Sequence, residues 1–354
     1  MLAPVSVIVV NYNGKDYLPS CLDSVFSQDP AEVLLVDSGS TDGAADRAAR
    51  DYPLRLLSLG ENLGPSAARN LGLREAKHDL VLLIDNDVEL TPGCLDRLCV
   101  HLEANDDLAM IQARSLLGSV DGPVHYDGGT FHYVGLIALR NWYRPQQDLA
   151  SGAAGLDRVD VAISLCCLAR RERLVACGGF DERMFILFED LACSYALRLK
   201  GYRVAVAGDA ICLHKAGTAG LSTRGPAKEY AARRSFLHSR NRWIFVLTHY
   251  RWRSLVLLFP GFAVYGVVHL GFVVASGHLG AWLRGKRELW RLRGYLRARR
   301  RRIQDLRSGR GHEAFSSPAL TFNPGLAGGP ARRFVRSGLD GVLGLWFWCV
   351  KWAL

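Results

Sequence analysis

The segment Leu80-Val81-Leu82-Leu83-Ile84-Asp85-Asn86-Asp87 decides the fold: an unbroken aliphatic run is delivered straight into three polar residues. A run this short and this apolar suits a strand covered on both faces, as in a parallel sheet. Outward from it the pattern repeats. Val5 to Val10 leads into Asn11-Tyr12-Asn13-Gly14, and Glu32 to Val36 leads into Asp37 and the turn-forming run Ser38-Gly39-Ser40-Thr41-Asp42-Gly43. Helical spacing predicts helices over 18–26, 44–50 and 65–76, the last with Pro65 at a permitted first-turn position. Residues 54–59 read as one more short strand. Strand and helix thus alternate four times, with polar residues gathered where strands end. This predicts an α/β domain on an open, mostly parallel, Rossmann-like sheet whose ligand crevice lies beyond the carboxyl ends of its strands.

The chain has 354 residues, 49% of them hydrophobic, which is enough for one large domain with a sizeable core and an accessory region. Residues 1–10 lack the basic start and long apolar run of a secretory signal, so the N-terminal part is expected on the cytoplasmic side. The nine cysteines show no paired spacing and read as reduced core residues. The formal charge of +10 is concentrated, because residues 281–310 carry twelve Arg or Lys against only Glu288 and Asp305. Charge placed beside a long apolar stretch, instead of across a folded face, points to an anionic membrane surface and away from nucleic acid.

Several residues carry candidate chemistry. Asp85 and Asp87, one residue apart at a strand end, can hold a hard divalent cation, Mg²⁺ or Mn²⁺, that bridges to a diphosphate. Such a metal offsets charge growing on a leaving diphosphate. Asp37 ends a neighbouring strand and can accept a hydrogen bond from a base or ribose; Tyr12 offers a stacking face, with Asn13 next to it. Arg69, on the helix after Asn62-Leu63-Gly64-Pro65, brings a permanently charged guanidinium. Glu189-Asp190 opens a helix after Gly178-Gly179-Phe180-Asp181-Glu182, and a carboxylate there can take the proton of an attacking hydroxyl. His214, after a strand expected at 203–207, can bind a metal or a phosphate. Each has a plainer reading: a helix-capping turn, a solvated carboxylate, a surface ion pair, an acid at a helix N-terminus, a structural histidine. Residues 106–158 read as loops and short strands over the site, and the domain edge is expected near Gly225-Pro226.

Ser254 to Leu283 contains no Asp, Glu, Lys or Arg. It is long enough to cross a hydrocarbon layer of about 30 Å. Its Gly and Pro punctuation and basic flanks on both sides favour re-entrant or interface-lying helices over a span. Residues 226–296 are therefore expected as a helical, membrane-associated region. Residues 297–354 are expected as a basic linker followed by an aromatic-rich anchor with Trp346, Trp348 and Trp352. The soluble alternative is a helical dimer interface, which would make the chain a homo-oligomer.

Taken in order, VSVIVVNYNG, LLVDSGSTDG, ENLGPSAARNLGL, LLIDNDVEL and GGFDERMFILFEDL with GYRV resemble the family-2 glycosyltransferases of the GT-A fold, over residues 4–217. The later pieces look most like the branch that adds rhamnose or furanose sugars such as galactofuranose. The resemblance implies inverting transfer of a sugar from a UDP- or dTDP-sugar to a lipid-linked or polysaccharide acceptor in cell-envelope glycan synthesis, at the cytoplasmic face of the membrane. It also implies roles. Tyr12 would flank the base, with Asn13 and Glu189 in the nucleotide-sugar site. Asp37 would contact the base or ribose, and Arg69 would face the diphosphate. Asp85 would lie by the ribose or metal, Asp87 and His214 would ligate the metal, and Asp190 would be the base. There are departures: EDLACSYA places Ala192 and Ala196 where an Asp and an Arg are usual, and Ser164-Leu165 replaces small Gly-Ala residues. Transfer to a polyprenyl phosphate and a non-catalytic nucleotide-sugar-binding scaffold stay open as alternatives. A nucleotidyltransferase is disfavoured, because no Gly-rich loop bearing Lys or Arg lies near the N-terminus.

Overall fold

The computed structural model describes residues 3–149, 155–215, 232–307, 315–321 and 330–354. Two compact units make up the chain, one of residues 1–129 with 139–217 and the other of residues 130–138 with 218–354.

The first unit begins β1 (Val5–Asn11), α1 (Leu18–Phe26), β2 (Glu32–Asp37), α2 (Ala44–Asp51), β3 (Arg55–Ser58), α3 (Pro65–Glu75) and β4 (Leu80–Asp85), as its sequence periodicity predicts. These four strands pair in parallel in the order β4-β1-β2-β3. The chain steps from β1 to β2 to β3 and then returns to the other flank of β1, so a switch point opens beside the end of β1. Register aligns Asn11 with Asp37 and Val10 with Asp85, which sets the three strand ends along one edge. The Asp85-Asn86-Asp87 turn runs into a short strand, β5 (Val88–Leu90), before α4 (Cys94–Glu103) begins, so the turn does not cap a helix.

Residues 106–158 are more ordered than expected. They supply β6 (Leu108–Leu117), β7 (Val124–Tyr126), β8 (Gly129–His132), β9 (Leu136–Leu139) and the start of β10 (Leu156–Val159), with most of β8 and β9 belonging to the second unit. β6 is buried along nearly its whole length. It hides from periodicity because Gln112, Arg114 and Ser115 interrupt its apolar run. The first two are paired internally: Arg114 donates to Asp127 at 2.9 Å, and Gln112 donates to the Tyr126 carbonyl and accepts from the Ile163 amide. β11 (Cys166–Arg170), α5 (Arg171–Ala176), α6 (Glu189–Leu199) and β12 (Arg203–His214) complete the unit. β11 runs antiparallel between β4 and β6, and β12 runs parallel to β6. The strand expected at 203–207 therefore continues to His214, through an irregularity after Ala207. All nine cysteines are free; eight are buried, whereas Cys349 is exposed and not a core residue.

The second unit contains α7 (Ala232–His249), α8 (Trp252–Leu257), α9 (Phe259–Ala275), α10 (Leu279–Arg291), α11 (Arg293–Asp305) and α12 (Pro330–Val350). α10 packs closely on α7 because small residues meet there: a Cβ on Gly285 would lie 2.7 Å from the Phe236 carbonyl oxygen, and Ser239 stands beside it. The segment expected as a linker from 297 is instead the second half of α11, and several of its polar side chains have internal work. Arg300 donates to the carbonyls of Leu247 and Tyr250, Gln304 to those of Thr248 and His249, and Arg307 to that of His249. Together they cap the carboxyl end of α7, where cations are favoured. The uncharged stretch 254–283 is divided among α8, α9 and the start of α10. Among the described residues, no helix is long and apolar enough to cross a membrane.

Candidate active site

Two loops beyond β1 and β2 are laced together by side chains. The Asp37 carboxylate accepts from Asn11 Nδ2 at 2.7 Å, from the Ser40 hydroxyl at 2.5 Å and from the Ser40 amide at 2.9 Å. Asn11 in turn accepts from Asn86 Nδ2 at 2.7 Å, which carries the chain of bonds to the turn after β4. Asn13 accepts from the Thr41 amide, and its own amide donates to Ser40. Asp37 is thus buried and internally bonded, Asn13 sits at the seam, and Tyr12 stands 37% exposed beside them. Gly14 is where it is because a Cβ there would lie 2.2 Å from Asn11 Oδ1. Sequence reading passed over Asn11 and Asn86, the two residues that join the three strand ends.

Arg69, 3% exposed on α3, is the hub of a second group. Nη2 donates to Asp85 Oδ1 at 2.7 Å, Nη1 lies 3.7 Å from Glu189 Oε1, and the guanidinium sits 5.4 Å from the Phe180 ring centroid. Nε and Nη1 of Arg69 and Oε2 of Glu189 are buried without a hydrogen-bond partner. Asn70, the next residue on α3, pairs with both the amide and the carbonyl of Phe180 and holds the 178–182 loop against the helix. That loop then enters α6 through Phe185, Leu187 and Phe188, all at positive φ. For bulky residues this backbone is strained, which is a common property of functional sites. The result sets Glu189 and Asp190 on the first turn of α6. Ser164 fixes Asp190, whose Oδ1 accepts from both the Ser164 hydroxyl and the Ser164 amide. The departure from Gly-Ala at position 164 therefore has a specific consequence: it orients this acid.

The electrostatics follow from burial. Desolvation pushes Asp85 up to about 6, with Asp87 adding and Arg69 opposing. Desolvation and the neighbouring Asp190 push Glu189 up to about 8 against the pull of Arg69. Asp190 is raised by burial, while Arg69 and Ser164 hold it down. For Arg69, burial works against its charge, yet the carboxylates of Asp85, Asp190 and Glu189 prevail and strengthen it. Three acids therefore share one buried cation.

At the end of β12, His214 Nε2 lies 3.1 Å from Asp87 Oδ2. Behind it, His125 Nδ1 lies 2.6 Å from His214 Nδ1, with the two rings stacked at 4.5 Å. Sequence reading missed His125, which falls in the region taken for loops. A separation near 3 Å suits two adjacent ligands of one hard cation with bonds of about 2.1 Å. Among the described residues no group of three or more His, Cys, Asp or Glu converges on a metal position. Asp87 and His214 are the described pair whose chemistry and spacing would suit holding a divalent cation.

Comparisons with known proteins agree with this architecture. The profile described as Glycosyl transferase family 2 matches residues 6–161. The N-acetylglucosaminyl-diphospho-decaprenol L-rhamnosyltransferase of Mycobacterium tuberculosis is 30% identical over 279 residues, which cover 70% of this chain and 86% of that protein. The poly-beta-1,6-N-acetyl-D-glucosamine synthase of Staphylococcus aureus is 23% identical over 223 residues, or 60% of this chain and 50% of that one. In fold, the chain is similar to a crystal structure of GalNAc-T7 with UDP, GalNAc and Mn²⁺, with a TM-score of 0.52 at 16% identity; the match spans 67% of this chain and 48% of that chain. With a mixed sheet of this order, strand-end acids grouped on one arginine, and a relative matched over most of its length, the chain belongs to glycosyl transferase family 2 and is a glycosyltransferase.

Proposed function

We propose that the protein is an inverting glycosyltransferase that moves a sugar from a UDP- or dTDP-sugar to a lipid-linked or polysaccharide acceptor in cell-envelope glycan synthesis. The observation that carries this reading is the Arg69 group: a buried guanidinium with unpartnered N–H donors, flanked by Asp85, Glu189 and Asp190. Those donors supply a planar fork for two diphosphate oxygens. Asp190 takes the proton of the acceptor hydroxyl as that oxygen bonds to the anomeric carbon; the bond from this carbon to the diphosphate oxygen breaks, and the nucleoside diphosphate leaves. A base lifted toward the working pH suits that task. Glu189, pushed up to about 8, keeps its proton near neutrality, so Asp190 is the acid of the pair left to act as base.

Asp87 and His214 would hold a Mg²⁺ or Mn²⁺ ion, which when bound neutralises charge on the leaving diphosphate. Tyr12 and Asn13 are exposed at the laced loops, where a base and ribose would be received, and Asp37 is bonded within the loops behind them. Support for a lipid-linked acceptor comes from the name of the mycobacterial relative and from the second unit's surface. Trp252, Phe259, Phe334, Trp348 and Trp352 are exposed there, as are Arg293, Arg297 and Arg301 at four-residue spacing on α11. Exposed aromatics beside a basic stripe suit an anionic membrane at its cytoplasmic face, where a lipid-linked acceptor keeps its tail.

The test is nucleotide release by purified protein given UDP-, dTDP- or GDP-sugars with Mn²⁺ and a membrane lipid extract. Acceptor-dependent release from a UDP- or dTDP-sugar, lost in Asp190→Asn, is expected. Release that is the same in Asp190→Asn, or none with any donor, would overturn the reading.

A further inference from the structure

The second unit contains a cluster of basic side chains for which the transfer reaction has no use. Arg242, on α7, is 4% exposed. Its Nε donates to the Val134 carbonyl at 2.7 Å, and its Nη2 is buried with no hydrogen-bond partner. Among the described residues no carboxylate stands in an ion pair with it or with Lys286. The guanidinium instead lies against aromatic faces, 4.5 Å from the Tyr265 ring centroid and 5.1 Å from that of Trp243. Lys286 reaches the same place from α10: its ammonium is 5.3 Å from the Trp243 ring centroid and donates to the Ser239 carbonyl at 3.1 Å. The rings of His238 and His269 lie 4.5 Å apart, tilted by 36°, and His269 Nε2 is also buried without a partner.

These groups oppose one another. Burial and Arg242 push Lys286 down to about 7, and burial, Arg242 and Lys286 push His269 down to about 4. His238 is lowered by burial first and then by His269, Arg242, Arg234 and Lys286. Aromatic faces offset part of the cost of a buried cation. They do not explain why a second cation and two imidazoles are brought to the same spot. An acidic partner would remove the conflict, and among the described residues no carboxylate is paired with Arg242 or Lys286. Lys286, His238 and His269 are each only partly buried.

We propose that Arg242, Lys286, His238 and His269 form a binding site in the helical unit for a phosphate or diphosphate group. The tetrahedral oxygens would take the unpartnered Nη2 of Arg242 and the ammonium of Lys286, with His269 Nε2 as a further donor. The aromatic and aliphatic surroundings suit a phosphate that carries a hydrocarbon chain. This deepens the acceptor reading above, and it is tested by a signal that does not depend on turnover.

The test is protection of Lys286 from an amine-acetylating reagent in the full-length protein, read by mass spectrometry. The probes are inorganic pyrophosphate, farnesyl diphosphate and the uncharged farnesol, in EDTA so that metal-dependent binding elsewhere is silent. Both phosphorylated probes should slow acetylation of Lys286 at least fivefold, and farnesol should not. A tenfold lower half-protecting concentration for farnesyl diphosphate would identify a lipid as the source of the anion; equal concentrations would identify a free phosphate compound. Arg242→Gln should abolish protection, and Lys286→Arg, which keeps the charge, should retain heat stabilisation by pyrophosphate. Absence of protection by either phosphorylated probe, or equal protection by farnesol, would overturn the proposal, whatever the nucleotide-release assay shows.

Discussion

Arg69 Nη2 donates to Asp85 Oδ1 at 2.7 Å, and this one buried bond ties α3 to the end of β4. Because the same guanidinium faces Glu189 at 3.7 Å, the third helix, the fourth strand and the start of α6 share a single positive charge. The guanidinium that holds these acids together also keeps Nε and Nη1 buried without a hydrogen-bond partner.

Replacing Arg69 therefore has two distinguishable effects. Arg69→Ala leaves buried acids without their counter-charge and should destabilise the fold by about 3–5 kcal/mol. Arg69→Lys keeps the charge but loses the planar fork; it should melt close to the wild type while turnover falls roughly 10²–10³-fold. Thermal melting and nucleotide release on the two variants check this. A lysine variant of full activity would exclude bidentate contact with the donor.

Glu189 makes stability depend on pH in a definite direction. Its folded pKa is about 8 against an ordinary 4.5, so between those values the folded chain keeps a proton that the unfolded chain gives up. The contribution is complete below pH 4.5 and is lost as pH rises through 8. Urea melts from pH 5 to 9 should show wild-type stability falling relative to Glu189→Gln, whose side chain does not titrate. Parallel curves for the two proteins would mean that Glu189 titrates normally in the fold.

Much of the first unit was legible in its sequence because hydrophobic periodicity is local. β1, β2 and β4 are short apolar runs, and Asp37 and the Asp85–Asp87 turn mark the ends of the last two. What was not legible depended on distant partners. β6 looked like loop because Arg114 and Gln112 are polar, and only the fold brings them Asp127 and the Tyr126 carbonyl. Asn11 looked like an ordinary turn residue until β2 and the turn after β4 supplied its partners. His125 gave no signal, since nothing around residue 125 indicates that it meets residue 214. The basic run at 281–310 pointed to an anionic membrane surface, and its composition did not reveal that Arg300 and Arg307 are spent on the end of α7.

Gly14 tests the loop lace. A methyl group at this position would collide with Asn11 Oδ1 at 2.2 Å and Asn86 Nδ2 at 2.4 Å. Gly14→Ala should cost about 1–3 kcal/mol as the loops part. If the lace shapes the nucleoside pocket, the KM for the donor should rise more than kcat falls. Kinetics and melting with Gly14→Ala beside Asn86→Ala check it; an unchanged KM in both would detach the lace from donor binding.

His125 bears on metal affinity. The two Nδ1 atoms of His125 and His214 are 2.6 Å apart, so one must carry the hydrogen. If His214 donates, its Nε2 is left with a lone pair directed toward Asp87 and ready for a cation. His125→Phe keeps a stacked ring but removes the acceptor, and should weaken Mn²⁺ binding about 10–100-fold. Asp87→Ala should abolish it. Titration of free Mn²⁺ by electron paramagnetic resonance reads both without reference to turnover. Wild-type affinity in His125→Phe would show that the other tautomer prevails.

Membrane attachment is the last expectation, and its two components separate by salt. Arg293, Arg297 and Arg301 recur every four residues on α11 and are all exposed, although by helical phase they adjoin Arg300 and Gln304, which turn to α7. Each cation near an anionic surface contributes about 1 kcal/mol. Changing all three to Gln should therefore weaken binding to phosphatidylglycerol vesicles roughly a hundredfold at low ionic strength. Raising the salt should erase that difference, because charges are screened beyond about 8 Å at physiological strength. Trp348→Ser with Trp352→Ser removes apolar insertion instead, and its loss should persist at every salt concentration. Co-sedimentation of the full-length protein measures both. If the Gln variant binds as the wild type does at low salt, the stripe faces water, and the exposed aromatic surface calls for a protein partner in place of a lipid one.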